Sequence, residues 1–317
     1  MAPTLGRRTF LKGMLGAAVG ASLASPVGAA QRQRQGTAPI AATPLADGFV
    51  LLSGAGGNVL AVNGPEGTLL VDGGLPERSD DLLHLVSEQP GAGSIQTLFN
   101  THWHLEHTGS NDSLGRAGVT IIAQENTRLW MTTDIRSEWQ GRVYPRRAPE
   151  ALPTRTFFAH ESPQTMFFGK EEIRYGHLLQ AHTDGDVYVF FPGPNILMAG
   201  DVVSVGRYPI LDYSTHGWVG GMRDASRDLL EVVDAETRIV PGTGPVQTRA
   251  DLEAQSEMLV TVTDRLVDMM RRGYSAADMA AAEPTKEFDA RWGDPTQFMS
   301  SVYPGLWGHV RERGGII

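Results

Sequence analysis

The stretch NTHWHLEHTGSN, residues 100–111, carries histidines at 102, 104 and 107 and a carboxylate at 106. Two imidazoles one residue apart, at the end of a strand, project to the same side because side chains alternate along an extended chain. Such a pair can hold one metal ion and needs a third ligand from elsewhere. Glu106 and His107 add a carboxylate and another imidazole, enough to begin a second site. Two later segments offer further ligands: AHTDGD (181–186) presents His182 just before a strand, and AGD (199–201) ends another strand on Asp201. The chain has no cysteine, so thiolate zinc sites, iron–sulfur clusters and a disulfide framework are excluded. Nitrogen and oxygen donors of this kind suit zinc, with iron or manganese as alternatives. Zinc held by three histidines brings the pKa of a bound water towards neutrality and makes hydroxide available to attack a carbonyl.

The elements around these residues read as follows. After residues 31–44, a polar, Pro-containing stretch expected to be a linker, come GFVLLSG, GNVLAVNG and GTLLVDGG, three short apolar runs separated by glycine. Their length and turn residues predict antiparallel strands. Apolar residues at 82, 83, 85 and 86 predict a helix over 80–88. SIQTLFNTH (94–102) reads as the strand that delivers the histidines; a short helix follows near 108–114, and GVTIIA (118–123) is another strand. Strands are again predicted at 172–179, 186–192, 195–201 and 237–245, with helices at about 218–234 and 250–272 and beyond 275. Two similar halves of strands and helices imply an α/β protein built as a four-layer αββα sandwich, forming one domain over 45–317.

The ordered series VDGG, THWHLEHTG, AHTDGD, AGD and PGTGP resembles the metallo-β-lactamase superfamily over almost the whole chain beyond residue 30, and AHTDGDVYVFFP followed by MAGDVVSVGRYPILD resembles its exported, zinc-dependent hydrolase branch. The resemblance implies that His102, His104 and His182 bind a first metal and that Asp201 bridges to a second held by His107 and Glu106. Asp72 then supports the ligands from behind. Two residues depart from the family pattern, and both fall on the second metal. Glu106 stands where the family has aspartate, and Thr243 stands where PGHGP has histidine; a neutral hydroxyl is a poor zinc ligand beside an imidazole. One tight zinc is expected, with a second weak or absent. Asp201 and Glu106 are the candidate catalytic carboxylates, positioning the water or carrying its proton. His216, in YSTHGW, falls beside the expected mouth of the site; it is read as a surface or substrate-facing residue, with replacement of the missing ligand as the alternative. Trp103, Trp130, Trp139, Tyr208 and Trp218 are expected to pack in the core, with an apolar mouth as their other role.

The expected function is a zinc-dependent hydrolase of a small carbonyl-type substrate: a β-lactam, lactone or ester. The alternative is a catalytically weakened binding or accessory protein of a periplasmic system. At the N-terminus Arg7-Arg8 precedes Thr9-Phe10-Leu11-Lys12 and an apolar run from about Gly13 to Ala24. This resembles a twin-arginine export signal over 1–30 and implies a periplasmic protein with no membrane segment once the signal is removed. A formal charge of −9 disfavours nucleic-acid and anionic-membrane partners.

Overall fold

The computed structural model describes residues 39–137, 140–159 and 162–312. The twin-arginine-like segment and Trp139 lie outside them. Seven strands form the first sheet, beginning with β1 (Ala41–Ala46), β2 (Phe49–Ser53), β3 (Val59–Gly64) and β4 (Gly67–Val71). The antiparallel meander β1–β4 is followed by β5 (Ile95–Phe99) and β6 (Thr120–Gln124), which run parallel to β4. A separate two-stranded hairpin, β7 (Ile135–Ser137) with β8 (Arg142–Tyr144), precedes β9 (Arg155–Phe157), the last strand of this sheet. The second sheet runs in sequence order: β10 (Gln164–Phe168), β11 (Glu171–Leu178), β12 (Asp186–Phe191), β13 (Ile196–Gly200) and β14 (Arg238–Pro241), the last two parallel.

Alternation along the strands divides the apolar residues between two interiors. Phe49, Leu51, Leu60, Val62, Leu69 and Val71 meet Ile173, Val187, Val189, Phe191 and Met198 between the sheets. Their neighbours Val50, Leu52, Val59, Ala61 and Leu70 face the other way, onto Leu82 and Val86 of helix α1 (Ser79–Ser87). Both faces of the sheet are therefore covered, and each fully buried aliphatic side chain contributes about 1.5–3 kcal/mol relative to exposure. Three short helices lie along this half: α2 (Leu105–Thr108), α3 (Asn111–Arg116) and α4 (Glu125–Met131). On the far side, Phe190, Leu197, Ala199 and Ile239 pack against α5 (Val219–Val232) and α6 (Arg249–Arg271), whose Met222, Leu229, Leu252 and Leu259 are buried. The result is the expected four-layer αββα sandwich.

Three local expectations need correction. Residues 41–44, read as linker, belong to β1 and pair with β2; Pro44 is tolerated because β1 is an edge strand, where a missing N–H breaks no inner ladder. The strand before the histidines stops at Phe99, so His102 and His104 converge through a loop rather than by strand alternation. The single helix expected at 108–114 is two shorter ones, broken at Gly109 and Ser110. Among the described residues, no helix is long and apolar enough to cross a membrane.

Candidate metal centre

The parallel strands aim their C-terminal ends at one edge of the sandwich. Asp72 follows β4, the histidine loop follows β5, Asp201 follows β13 and Gly242-Thr243 follows β14. One ligand atom each from His102, His104, His182 and Asp201 lies within 4.8 Å of the others. His182 Nε2 is 3.1 Å from His104 Nδ1 and 3.7 Å from Asp201 Oδ2. Donors bound 2.0–2.1 Å from a tetrahedral zinc lie about 3.3 Å apart, so the spacing suits such an ion.

Partners on the outer side of each ring decide which nitrogen offers a lone pair inward. His104 Nε2 faces the Asp212 carboxylate at 3.0 Å, and His182 Nδ1 faces the Ile210 carbonyl at 2.7 Å. Both partners are acceptors, so both outer nitrogens carry the proton. The two inner nitrogens, 3.1 Å apart, are then the positions that would offer lone pairs to a cation between them. His102 follows the same logic one step removed. The Thr101 hydroxyl donates to Asp72 (2.8 Å to Oδ2), leaving its oxygen to accept from His102 Nδ1 at 3.2 Å. Among the described residues, His102 Nε2 is buried without a hydrogen-bond partner. The donor set therefore fits a divalent metal ion.

His107 stands beside this group. Its Nδ1 is 2.7 Å from Asp72 Oδ2, while its buried Nε2 has no hydrogen-bond partner among the described residues and lies 3.5 Å from Asp201 Oδ1. Asp201 therefore offers one oxygen towards His182 and the other towards His107, as a bridging carboxylate would. Glu106 is absent from the tight group of four. It is close enough for its charge to be felt, since burial raises its pKa but His104 and His107 pull it below the ordinary value. The Thr243 hydroxyl accepts a 3.1 Å hydrogen bond from Arg207 Nη2.

Electrostatics divides the histidines into two kinds. Burial and the neighbouring imidazoles push His102 well below its ordinary pKa, and burial and His104 bring His182 to about 4. Burial also opposes charge on His104 and His107, but Asp212 raises the first, and Asp72 with Asp201 raises the second well above its ordinary value. Asp201 is held well below the usual carboxylate range by His107 against the cost of burial. Protons on His104 and His107 thus stand where a metal's positive charge would, and binding an ion displaces them.

Several supporting residues escaped the sequence reading. Asp212 resembles any turn aspartate in sequence, yet it is fully buried and also accepts from Thr215, which in turn accepts from the Trp103 indole at 3.1 Å. Asn58 ties the glycine-rich β2–β3 loop to the loop after β14: its amide donates to the Pro241 and Gly244 carbonyls, both at 2.9 Å. The close approach explains Gly242, where a Cβ would lie 2.0 Å from Asp201 Oδ1. His216 does not join the cluster; its Nδ1 bonds Asp184 at 2.9 Å and its ring packs on Trp130. His177 bonds the Asp184 carbonyl and is structural. Trp103 is buried, and Tyr208 lies in the core against Phe298, far from any mouth role, with its hydroxyl donating to Asp289.

Residues 52–243 match the profile described as the Metallo-beta-lactamase superfamily. Among solved structures, the chain is similar to a metallo-beta-lactamase from Pontibacter korlensis at 20% identity, over 70% of this chain and 93% of that one, with a TM-score of 0.52. It is similar to the DIM-1 metallo-beta-lactamase at 17% identity, over 71% and 98% of the two chains, with a TM-score of 0.55. A third similar structure is the inverting sec-alkylsulfatase Pisa1 from Pseudomonas sp., at 15% identity, 78% of this chain and 46% of that one, and a TM-score of 0.61. No curated protein matches the chain. Identities this low speak for the fold alone, while the profile match spans more than half of the sequence and includes the histidine loop, His182 and Asp201. The chain belongs to the metallo-beta-lactamase superfamily.

Proposed function

We propose that the protein is a zinc-dependent hydrolase of a small carbonyl-type substrate (a β-lactam, a lactone or an ester), exported to the periplasm by its twin-arginine-like N-terminus. The convergence of three inward histidine nitrogens on Asp201 carries this reading. His102, His104 and His182 would hold a tight ion, with His107, Glu106 and Asp201 left for a weaker second one. Such an ion supplies Lewis acidity and a water of lowered pKa.

The chain's own groups do the rest. Asp212 and the Ile210 carbonyl lock the rings of His104 and His182 from behind, and Trp103 closes the space behind the loop. Asp201, whose side chain remains about one-tenth exposed, is ionised and positions the attacking water. It also carries the water's proton towards the leaving group, with Glu106 taking that part where it is not ligated. Thr243 in place of a ligand supports a second reading, a weakened binding protein of a periplasmic system.

Elemental analysis of the exported protein, followed by turnover assays on the same sample, separates the two. The panel includes a β-lactam, a lactone, an ester and, because one similar structure is a sec-alkylsulfatase, a secondary alkyl sulfate. Retained zinc with metal-dependent turnover supports the hydrolase. Zinc retention without any turnover supports the binding protein, and failure to retain metal sinks the metalloenzyme reading.

A further inference from the structure

Three helices follow α6 and leave a space between them: α7 (Ala276–Ala281), α8 (Asp289–Trp292) and α9 (Thr296–Glu312). In α9, Phe298, Val302 and Leu306 recur every four residues and are buried in the core shared with α5 and α6. Thr296, Met299, Ser300 and Tyr303, spaced i, i+3, i+4 and i+7, form another face, and none of these four is fully buried. Across the same space Ala276, Met279 and Ala280 form one stripe of α7, and its two alanines are too short to close the gap. The result is a cavity of about 430 Å³ with apolar walls from Leu266, Met279, Met299 and Val302. Sites for small molecules have volumes of roughly 300–1,000 Å³. No residue of the metal centre lines this cavity.

Two carboxylates give the cavity a sign. Glu283 and Asp289 are the charged residues of its lining, and both are acidic. Glu283 is exposed and pairs with Lys286 at 2.9 Å, an interaction that water weakens. Asp289 is half-buried. Its Oδ1 accepts from the Tyr208 hydroxyl at 2.8 Å, while its Oδ2 has no partner among the described residues.

A carboxylate oxygen that is partly withdrawn from water and unpaired calls for a donor. Beside apolar walls, the complementary molecule has an aliphatic chain and a cationic N–H group, whose hydrogen bond to the carboxylate is charge-assisted. An anion would meet repulsion there, and a neutral alcohol would lack the charge. The net charge of −9 adds a long-range attraction for cations. We infer that the cavity between α7 and α9 is a binding site for an aliphatic ammonium ion, its chain lying between Met279 and Met299 and its N–H group on Asp289. The site is separate from the metal centre and stands whether or not the protein is a hydrolase.

The test titrates the whole protein, by calorimetry, with three probes of equal chain length: hexylammonium, hexanol and hexanesulfonate. Hexylammonium is expected to bind once per chain, about 10- to 100-fold more tightly than hexanol, and hexanesulfonate not at all. Binding should also raise Tm. Asp289→Asn, which keeps an oxygen for Tyr208, should remove most of the preference for the ammonium and leave hexanol binding unchanged. Ala280→Phe, which fills the space from an exposed position, should abolish binding of both. Asp264→Asn removes an equal charge from an exposed position on α6 outside the lining and should change nothing. Affinity should be the same with and without zinc; hexylammonium binding that needs the metal would place the amine there and overturn the inference. No binding of hexylammonium, equal binding of all three probes, or binding untouched by both Asp289→Asn and Ala280→Phe would overturn it too. None of these results depends on turnover, so the hydrolase reading stands or falls separately.

Discussion

Asp72 Oδ2 lies 2.7 Å from His107 Nδ1, and the same carboxylate accepts from both the backbone N–H and the hydroxyl of Thr101. Through Thr101 it also determines the tautomer of His102, whose Nδ1 is 3.2 Å from the threonine oxygen. One fully buried carboxylate thus aims two histidines: His102 of the tight group and His107 beside it. Asp212 performs the same service for His104 alone.

Asp72→Asn removes the charge and turns one acceptor into a donor while keeping the shape. Asparagine also tolerates the left-handed backbone of this position, φ 66°, so the fold should survive. The amide cannot accept from Thr101 and His107 together without placing N–H against N–H. Zinc affinity should fall about 10- to 100-fold, measured by competition with a chelator of known affinity. An unchanged affinity would show that these ring orientations do not depend on Asp72.

The residues that converge were legible because their types are scarce and their chemistry narrow: His102, His104, His182 and Asp201 offer metal donors in a chain with nine histidines. The residues behind them were not. Asp212 lies 108 positions from His104, and nothing local separates it from an aspartate that serves only its turn. Thr101 and Ile210 act through a hydroxyl and a main-chain carbonyl, which every sequence has in abundance. Among the elements, buried strands read well from their apolar runs. β1 was obscured by Pro44, harmless only at an edge, and β7 and β8, three residues each, are too short to show a period.

Asn58→Ala tests the clamp between the β2–β3 loop and the loop after β14. The change leaves the Pro241 and Gly244 carbonyls without their side-chain donor and the Ser53 hydroxyl without its acceptor. A cost of about 1–3 kcal/mol is expected, a fall in Tm of roughly 2–10 °C. Because Gly242 is packed against Asp201, zinc affinity should weaken as well. Calorimetric unfolding and chelator competition read the two effects; a wild-type Tm would show that the clamp is dispensable.

Asp186 gives the pH dependence a sign. It is buried beside Thr183, which donates to it from N and Oγ1, each at 2.8 Å, yet burial raises its pKa to about 8. An unfolded aspartate ionises near 3.9, so between these values the folded state keeps a proton that the unfolded state has lost. Stability from this group is therefore complete below about pH 4 and declines as pH rises to about 8, by up to about 1.4 kcal/mol per pH unit. Asp186→Asn should abolish that decline, and urea titrations of metal-free wild type and variant across this range would measure it. Parallel pH profiles for the two proteins would refute the assignment.

Thr243→His addresses the number of ions. In the wild type, His107 Nε2 and Asp201 Oδ1 are 3.5 Å apart and are the nearest pair of donors for a second metal. Residue 243 spends its hydroxyl on Arg207, and Glu106 lies outside the tight group. Two strong donors hold zinc weakly compared with three, so wild type should retain one equivalent after dialysis. Gly242, the residue before it, is packed against Asp201 and His107, so Thr243→His introduces an imidazole one residue from these donors. It also releases Arg207. The variant should retain a second equivalent, seen by elemental analysis, whereas Thr243→Ala, which frees Arg207 without adding a donor, should retain one. Two equivalents in the wild type would mean that Glu106 completes the second site unaided. One equivalent in Thr243→His would mean that the backbone after β14 no longer presents residue 243 to His107 and Asp201.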